Sequence, residues 1–538
     1  MSYTDKERRL LRQFFSELEP REHADIYLVR NLPPEVAATL NGVYSRSRLS
    51  MRDQFLDRLK KGLEQAGTDL ESAEIPDTPE DFLAGVMSDK AGKFLKTYAI
   101  DHGHNSLREG SIVHLAVENV SQLVTRFVQR ERRCSFEESS TRYISFSEEG
   151  HYRDPDVIAA GGKAAAAYEE ILHRTFNLYQ DLSEELLSHL EKARPLGDDE
   201  KRGPWLRALK AEVFDAARYL LTPAIHTKWG MVADARTLSD IITELLSHPL
   251  AEFRLVGTRI KEQAELALPT LLAHSKPNEF LRAQHEQPRA AAERFGAAER
   301  VRGEGQPGIE LLSYDDDLDS RLLASLVYEQ SNQSYSTLLD CCRSMSNGAR
   351  RDLMGELLSS RGPRDPMPFG LEGAAPFDFE LLVDFGAYRD IGRHRKGFQQ
   401  QQPLTTTHGY LTPPLIEQVG LADRYRETLD AVAQLQPVVA AQHPSAAGYV
   451  TPFAFLQRVR ITFDPRQCAY FVELRSGPEG HFAYRKSALD LYREIERVSP
   501  LFASFIRAQE GDAFLGRMTS EQTADERRQQ RMERAGDL

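Results

Sequence analysis

Two tandem copies of one domain of mixed helix and strand are what this sequence predicts. Three short runs from the first part of the chain return in the same order in the second. Val43-Tyr44-Ser45-Arg46-Ser47 is echoed by Val327-Tyr328-Glu329-Gln330-Ser331, Arg130-Glu131-Arg132-Arg133 by Arg393-His394-Arg395-Lys396, and Ala233-Asp234-Ala235-Arg236 by Phe463-Asp464-Pro465-Arg466. Ordered self-similarity of this kind marks an internal duplication. A strand-then-helix pattern precedes each arginine run. Polar, Pro- and Gly-bearing residues at 275–310 read as the linker, giving repeats at 1–274 and 311–510 and a charged tail at 511–538 that reads as frayed from about 518.

The elements follow from periodicity. Residues 1–25 are charged and read as helical. Over 159–192, Tyr168, Leu172, Phe176, Tyr179, Leu182, Leu186 and Leu190 recur every three or four positions and share one helix face. Ile112 to Val117 reads as a strand, followed by Val120, Leu123, Val124 and Phe127 at helical spacing. In the second copy Phe377, Phe379, Leu381, Val383 and Phe385 alternate as in a strand with one buried face, and Gly386 breaks the pattern before a short helix toward Arg393. Val459 to Phe463 reads as a strand, with Asp464 as N-cap and Pro465 as first residue of a helix that Arg475 ends. Both arginine runs thus fall at helix C-termini, where the dipole favours cations.

The composition excludes several classes. The chain has 538 residues, too many for a single small module. With 68 basic against 81 acidic residues its net charge is −13, which disfavours nucleic acid as a partner. No apolar run is long enough to span a membrane. Four cysteines (Cys134, Cys341, Cys342 and Cys468) in so long a chain make neither a disulfide framework nor a CxxC metal pair. A reduced, cytoplasmic protein is expected.

Chemistry concentrates at the arginines. Arg130, Arg132 and Arg133 fan out from a helix end, and each guanidinium can grip a phosphate or carboxylate bidentately. Ser139-Ser140-Thr141-Arg142 adds hydroxyls and a further guanidinium. The same residues also suit a solvated, salt-bridged face. His102-Gly103-His104 has the look of a metal pair without a third ligand at a recognisable spacing, so no metal is expected. Gly303 to Gly308 matches GxGxxG but lies in the linker with no preceding strand. No Walker loop, GxSxG or paired Cys and His occurs, so no catalytic nucleophile is expected. Asp464 is accounted for by capping as readily as by a site.

These residues resemble the signature of flavin-dependent thymidylate synthases: Arg-His-Arg, seven residues, Ser, then Gly-Arg-Tyr or similar. Here the run is Arg130-Glu131-Arg132, seven residues, Ser140, then Thr141-Arg142-Tyr143. The family's upstream His-x-Thr-Pro-Phe-Glu-His is similar to His104-Asn105-Ser106-Leu107-Arg108-Glu109-Gly110, and its Asn-Ala-Arg-Ser-Leu to Asp234-Ala235-Arg236-Thr237-Leu238. The second copy keeps Arg393-His394-Arg395 and Asp464-Pro465-Arg466 followed by Arg475.

The resemblance implies an α+β fold, with two copies of a thymidylate-synthase-complementing-type domain (antiparallel sheet with helices) and a helical insertion in each half. It implies FAD as cofactor, and dUMP methylation with methylene-tetrahydrofolate as carbon donor and NADPH as reductant. Glu138, Ser140, Thr141, Arg142 and Arg475 are the implied nucleotide ligands. His104, Ser106, Glu109, Arg130, Arg132, Arg236, Arg393, His394, Arg395 and Arg466 are the implied flavin ligands.

The departures are complementary. The first copy has Glu131 for the motif histidine and Glu244-Leu245 where the family's nucleotide-binding arginine is expected. The second has Pro403 for the motif serine and no histidine in Arg364 to Phe369. Composite sites shared by the two copies are therefore expected, with a homodimer rebuilding the family's four-lobed assembly and half the sites vestigial. The alternative is a catalytically degenerate flavin- or nucleotide-binding protein with a regulatory or scaffold role.

Overall fold

Capping side chains fix where strands hand over to helices in this chain. The computed structural model describes residues 3–21, 23–73, 79–141, 146, 150–197, 201–294, 306–511, 522–523 and 525–532. It is a mixed helix and sheet protein with two small antiparallel sheets. Two compact units are formed, and their membership crosses the sequence halves. One comprises Met1–Val120, Arg133–Glu138 and Lys228–Ala298; the other comprises Ser121–Arg132, Ser139–Thr227 and Glu299–Leu538.

The first unit begins with four helices: α1 (Asp5–Phe14), α2 (Pro34–Tyr44), α3 (Met51–Gln65) and α4 (Pro79–Leu95). The expected helix over 1–25 is confined to α1. The Thr4 side chain accepts from Glu7 N while the Glu7 side chain accepts from Thr4 N, a capping box that starts it. Leu10, Leu11, Phe14, Phe15, Phe55 and Leu59 form the core of this lobe. Beyond it, β1 (Ile112–Ser121), β2 (Ser135–Glu138) and β3 (His226–Asp234) form a sheet in the order β1-β3-β2. Val120, expected to open a helix, lies within β1 instead. The helix starts at Gln122 because the Ser121 hydroxyl accepts from Val124 N.

The expected linker carries a helix at Glu279–Arg294, with no buried residue and a proline, Pro288, inside it. Its Glu, Arg and Ala content favours helix, and Arg282–Glu279 and Arg289–Glu293 pairs add support along the exposed face.

The second unit is built on β4 (Gly308–Ser313), β5 (Phe377–Asp384), β6 (Phe398–Gln401) and β7 (Leu456–Phe463), in the order β4-β5-β7-β6, every neighbouring pair antiparallel. The alternation in β5 does what its spacing demands: Phe377, Phe379, Leu381 and Val383 are all buried. On its other face Asp378 and Glu380 bind Arg460 and Arg458 of β7. Phe385 belongs to the following helix, Phe385–Ile391, because Asp384 caps it by accepting from Ala387 N at 2.6 Å.

The long helix runs over Gly162–Ala193, with Gly161 at φ 63° separating it from Pro155–Ala160. All seven of its expected apolar residues are buried. It packs along the Ala422–Gln442 helix, and Arg424 reaches back to Glu185 at 2.6 Å. Residues 525–532 of the tail are helical, and Asp525 and Gln529 accept from Lys201 at 3.4 and 2.8 Å.

Inside this unit the two halves meet through their main chains. Ala224 N donates to Tyr449 O at 2.9 Å, Ala454 N to Tyr219 O at 3.0 Å, and Phe453 N to Leu221 O at 2.8 Å. Tyr219 and Ala224 have the same identity and spacing as Tyr449 and Ala454, so the first two bonds are one contact made twice. That reciprocity is the mark of a two-fold interface, here internal to one chain.

Candidate ligand-binding site

The arginine runs of the two halves lie against each other within the second unit. Arg130 caps the Gln122–Gln129 helix, and Arg393 follows the Phe385–Ile391 helix by two residues. Arg395 Nη1 donates to the Glu131 carbonyl at 2.7 Å, and Arg132 Nη1 to the Lys396 carbonyl at 3.1 Å. Each loop therefore uses a guanidinium to hold the other's backbone. Arg130 stacks over Phe127, 4.0 Å from the ring centroid. Arg393 is exposed, and among the described residues no hydrogen bond or ion pair engages its side chain.

Beneath the loops lies a layer of buried guanidiniums. Arg126, Arg218 and Arg389 are all buried, and Thr141 sits among them. The Thr141 hydroxyl accepts from Arg389 at 2.6 Å and from Arg218 at 3.5 Å. Arg126 donates to the Arg389 carbonyl at 3.0 Å. Arg218 also reaches the Gly386 carbonyl at 3.3 Å and the Asp390 carboxylate at 3.6 Å. Buried charge needs such partners, since desolvation without them costs several kcal/mol per ion.

Arg475 joins this layer from the end of the Pro465–Arg475 helix. Its Nη2 donates to the Asp390 carbonyl at 2.8 Å, and its Nε to His394 Nε2 at 2.9 Å. A guanidinium only donates, so His394 Nε2 must offer a lone pair and the neutral ring carries its proton on Nδ1. The Gln467 side-chain amide lies 3.0 Å from Nδ1. Burial, and after it the Arg475 charge, push His394 down to about 3. His394 is thus a neutral, enclosed group.

Of the other expected ligands, Ser140 and Arg466 belong to this unit. Arg466 donates to the Met367 carbonyl at 2.7 Å and pairs with Glu372, which also receives Lys396. His104, Ser106, Glu109, Glu138 and Arg236 belong to the first unit. There Arg236 pairs with Glu109 at 2.6 Å, and His104 is exposed, 6.5 Å ring to ring from Tyr98. Glu109–Arg236 and Glu372–Arg466 are equivalent pairs, one per copy. Arg142 lies outside the described residues.

Arg126, Arg218, Arg389 and Asp390 were not anticipated. Arg126 and Arg389 stand 263 residues apart, the same offset as Arg130 and Arg393 or Glu109 and Glu372, so extending the duplication backwards along the helices locates them. Arg218 and Asp390 have no charged counterpart at their offsets, and no sequence signal marks them. No group of three or more His, Cys, Asp or Glu residues suited to a metal occurs among the described residues, and no helix there is long and apolar enough to cross a membrane.

A mixed helix and sheet fold with two small antiparallel sheets, and arginine loops contributed twice by one chain, is that of a duplicated protein. The chain belongs to the family described as thymidylate synthase complementing protein, whose sequence model matches residues 48–270 and again 310–501. It is 29% identical to a UPF0159 protein of Chlamydia pneumoniae, over 96% of this chain and 97% of that one. It is 24% identical to a UPF0159 protein of Thermoplasma acidophilum, over 80% of this chain and 91% of that protein. Over 37% of its length it is 23% identical to the flavin-dependent thymidylate synthase of Clostridium tetani, covering 76% of that enzyme. The single-copy relatives therefore match in part what this chain carries twice.

Proposed function

We propose that the chain is an FAD-dependent, thymidylate-synthase-like enzyme that methylates dUMP to dTMP with methylene-tetrahydrofolate and NADPH, at a site shared by its two copies. In this reading residues 1–274 and 311–510 are the copies, each with a helical insertion, and a homodimer forms a pseudo-tetramer. The observation that carries it is the mutual grip of Arg132 on Lys396 and of Arg395 on Glu131. Residues from both copies thereby form one cationic surface. The donor set suits a pyrophosphate-bearing cofactor, because Arg130, Arg132 and Arg393 keep their side chains exposed, whereas the buried guanidiniums are bonded to acceptors inside the protein. Bound flavin would supply the hydride. The protein's own share is binding and orientation: the surface guanidiniums hold phosphates, and Arg475 aligns the floor through His394 and Asp390.

A second reading, a degenerate flavin- or nucleotide-binding protein, is favoured by one observation. The surviving motif histidine, His394, spends both ring nitrogens inside the protein, and Glu131 replaces its counterpart. Flavin oxidation by methylene-tetrahydrofolate separates the two readings. The enzyme reading expects oxidation that depends on dUMP. Flavin binding with no dUMP-dependent turnover selects the second reading.

A further inference from the structure

A cavity of about 140 Å³ opens between α2, α3 and α4 of the first unit. Its wall is apolar on the side of Val36, Leu40 and Met87 and cationic on the side of Arg58, Lys61 and Lys90. The cations are not equivalent. Lys61 pairs with Asp57 at 2.8 Å, and Lys90 donates to the Lys61 carbonyl at 2.7 Å. Arg58 has neither kind of partner. Among the described residues nothing accepts from its buried Nε; the Phe94 ring faces its guanidinium, 5.7 Å away, and the Asp57 charge reaches it only through space.

A half-buried guanidinium beside an apolar wall is costly without an anion, and burial already disfavours its charged form. Three cations against the single carboxylate of Asp57 leave the cavity in positive excess. The Thr39 hydroxyl points to the Ala91 carbonyl at 3.5 Å, so the polar grip falls to the cations. A planar fork beside an aliphatic wall matches a planar carboxylate attached to a compact apolar body. The volume agrees, since an aliphatic-lined void of roughly 150 Å³ takes up a benzene ring.

We propose that this cavity binds a small carboxylate with an aromatic or branched apolar body, its carboxylate on Arg58 and Lys90 and its body against Leu40 and Met87. The site is independent of the arginine loops and of the proposed reaction.

Calorimetric titration of the full chain with benzoate, and with benzamide as the neutral isostere, tests it. Benzoate should bind saturably at one site and raise the Tm, while benzamide does neither. Arg58→Met should weaken benzoate at least tenfold without lowering the Tm of the free protein, because it removes a half-buried charge that has no hydrogen-bonded partner. Lys90→Gln, on the partly exposed rim, should weaken it several-fold. The proposal is overturned if the wild type shows no saturable benzoate binding, if benzamide binds equally, or if both variants titrate like the wild type.

Discussion

Ala224 N donates to Tyr449 O at 2.9 Å, and the equivalent pair, Ala454 and Tyr219, repeats the bond at 3.0 Å. One chain thus contains a contact that two identical protomers would make across a two-fold axis. Fusion frees the copies to diverge. Arg389 turns to Thr141, whereas its counterpart Arg126 turns to the Arg389 carbonyl. Arg475 stands where the first copy has Leu245, so the guanidinium that serves His394 is replaced by an apolar side chain in the first copy.

Thr141 is the joint of the buried arginine layer. Thr141→Val removes the acceptor of Arg389 and Arg218 while keeping the shape. It should destabilise the protein by about 1–3 kcal/mol, the cost of stranding a buried donor. Thr141→Ser should be close to neutral. Denaturant unfolding of the three proteins reads the difference.

His394 and Asp384 should give stability opposite pH dependences. His394 is lowered to about 3 by burial, so between pH 3 and 6.5 the unfolded chain holds a proton that the native one lacks, and stability rises with pH. Asp384 is raised to about 6, again by burial, so between pH 3.8 and 6 the native state holds the extra proton and stability falls with pH. Each slope approaches 1.4 kcal/mol per pH unit at most, and over pH 4–6 the two oppose. His394→Asn should therefore make stability fall more steeply across that window, and Asp384→Asn, which keeps the cap, should make it rise. Unchanged profiles in both variants contradict the burial of these groups.

Gly397 closes the second arginine loop onto β7. A methyl group there would run into the Phe463 ring and lie 2.8 Å from the Thr462 carbonyl. Gly397→Ala should cost about 2–3 kcal/mol by overpacking. It should also loosen Arg395 from Glu131, so flavin affinity should drop with stability.

Arg393 and Arg475 should separate binding from folding. Arg393 is exposed and its side chain is engaged by nothing described, so Arg393→Ala should leave the unfolding midpoint within about 0.5 kcal/mol while weakening flavin tenfold or more. Arg475→Ala should abolish nucleotide binding, and it also frees His394, whose pKa should climb toward its ordinary value in an NMR titration.

The parts set by local chemistry were legible in the sequence. The β5 alternation, the Asp464 cap and the long-helix stripe each depend on a few neighbouring residues, and all appear as expected. Boundaries slipped where a cap outweighed apolar spacing, as at Ser121 and Asp384. The helix at Glu279–Arg294 was hidden because it has no apolar face, which is the signal that periodicity reads. Within the site, motif spacing located the two arginine loops. The layer beneath them was hidden for a different reason: Arg218 and Asp390 are brought together by packing between the copies, of which sequence distance carries no trace, and Thr141, expected as a nucleotide ligand, is buried with its hydroxyl bonded to Arg389.

The most direct test of the shared site is a visible spectrum of the purified, FAD-incubated protein during a dUMP titration, repeated for Arg132→Ala and Arg395→Ala. The account predicts bound-flavin bands that dUMP perturbs saturably in the wild type, with at least tenfold weaker flavin in either variant, one from each copy. A colourless protein that takes up no FAD, or a flavin signal indifferent to both substitutions, would contradict it.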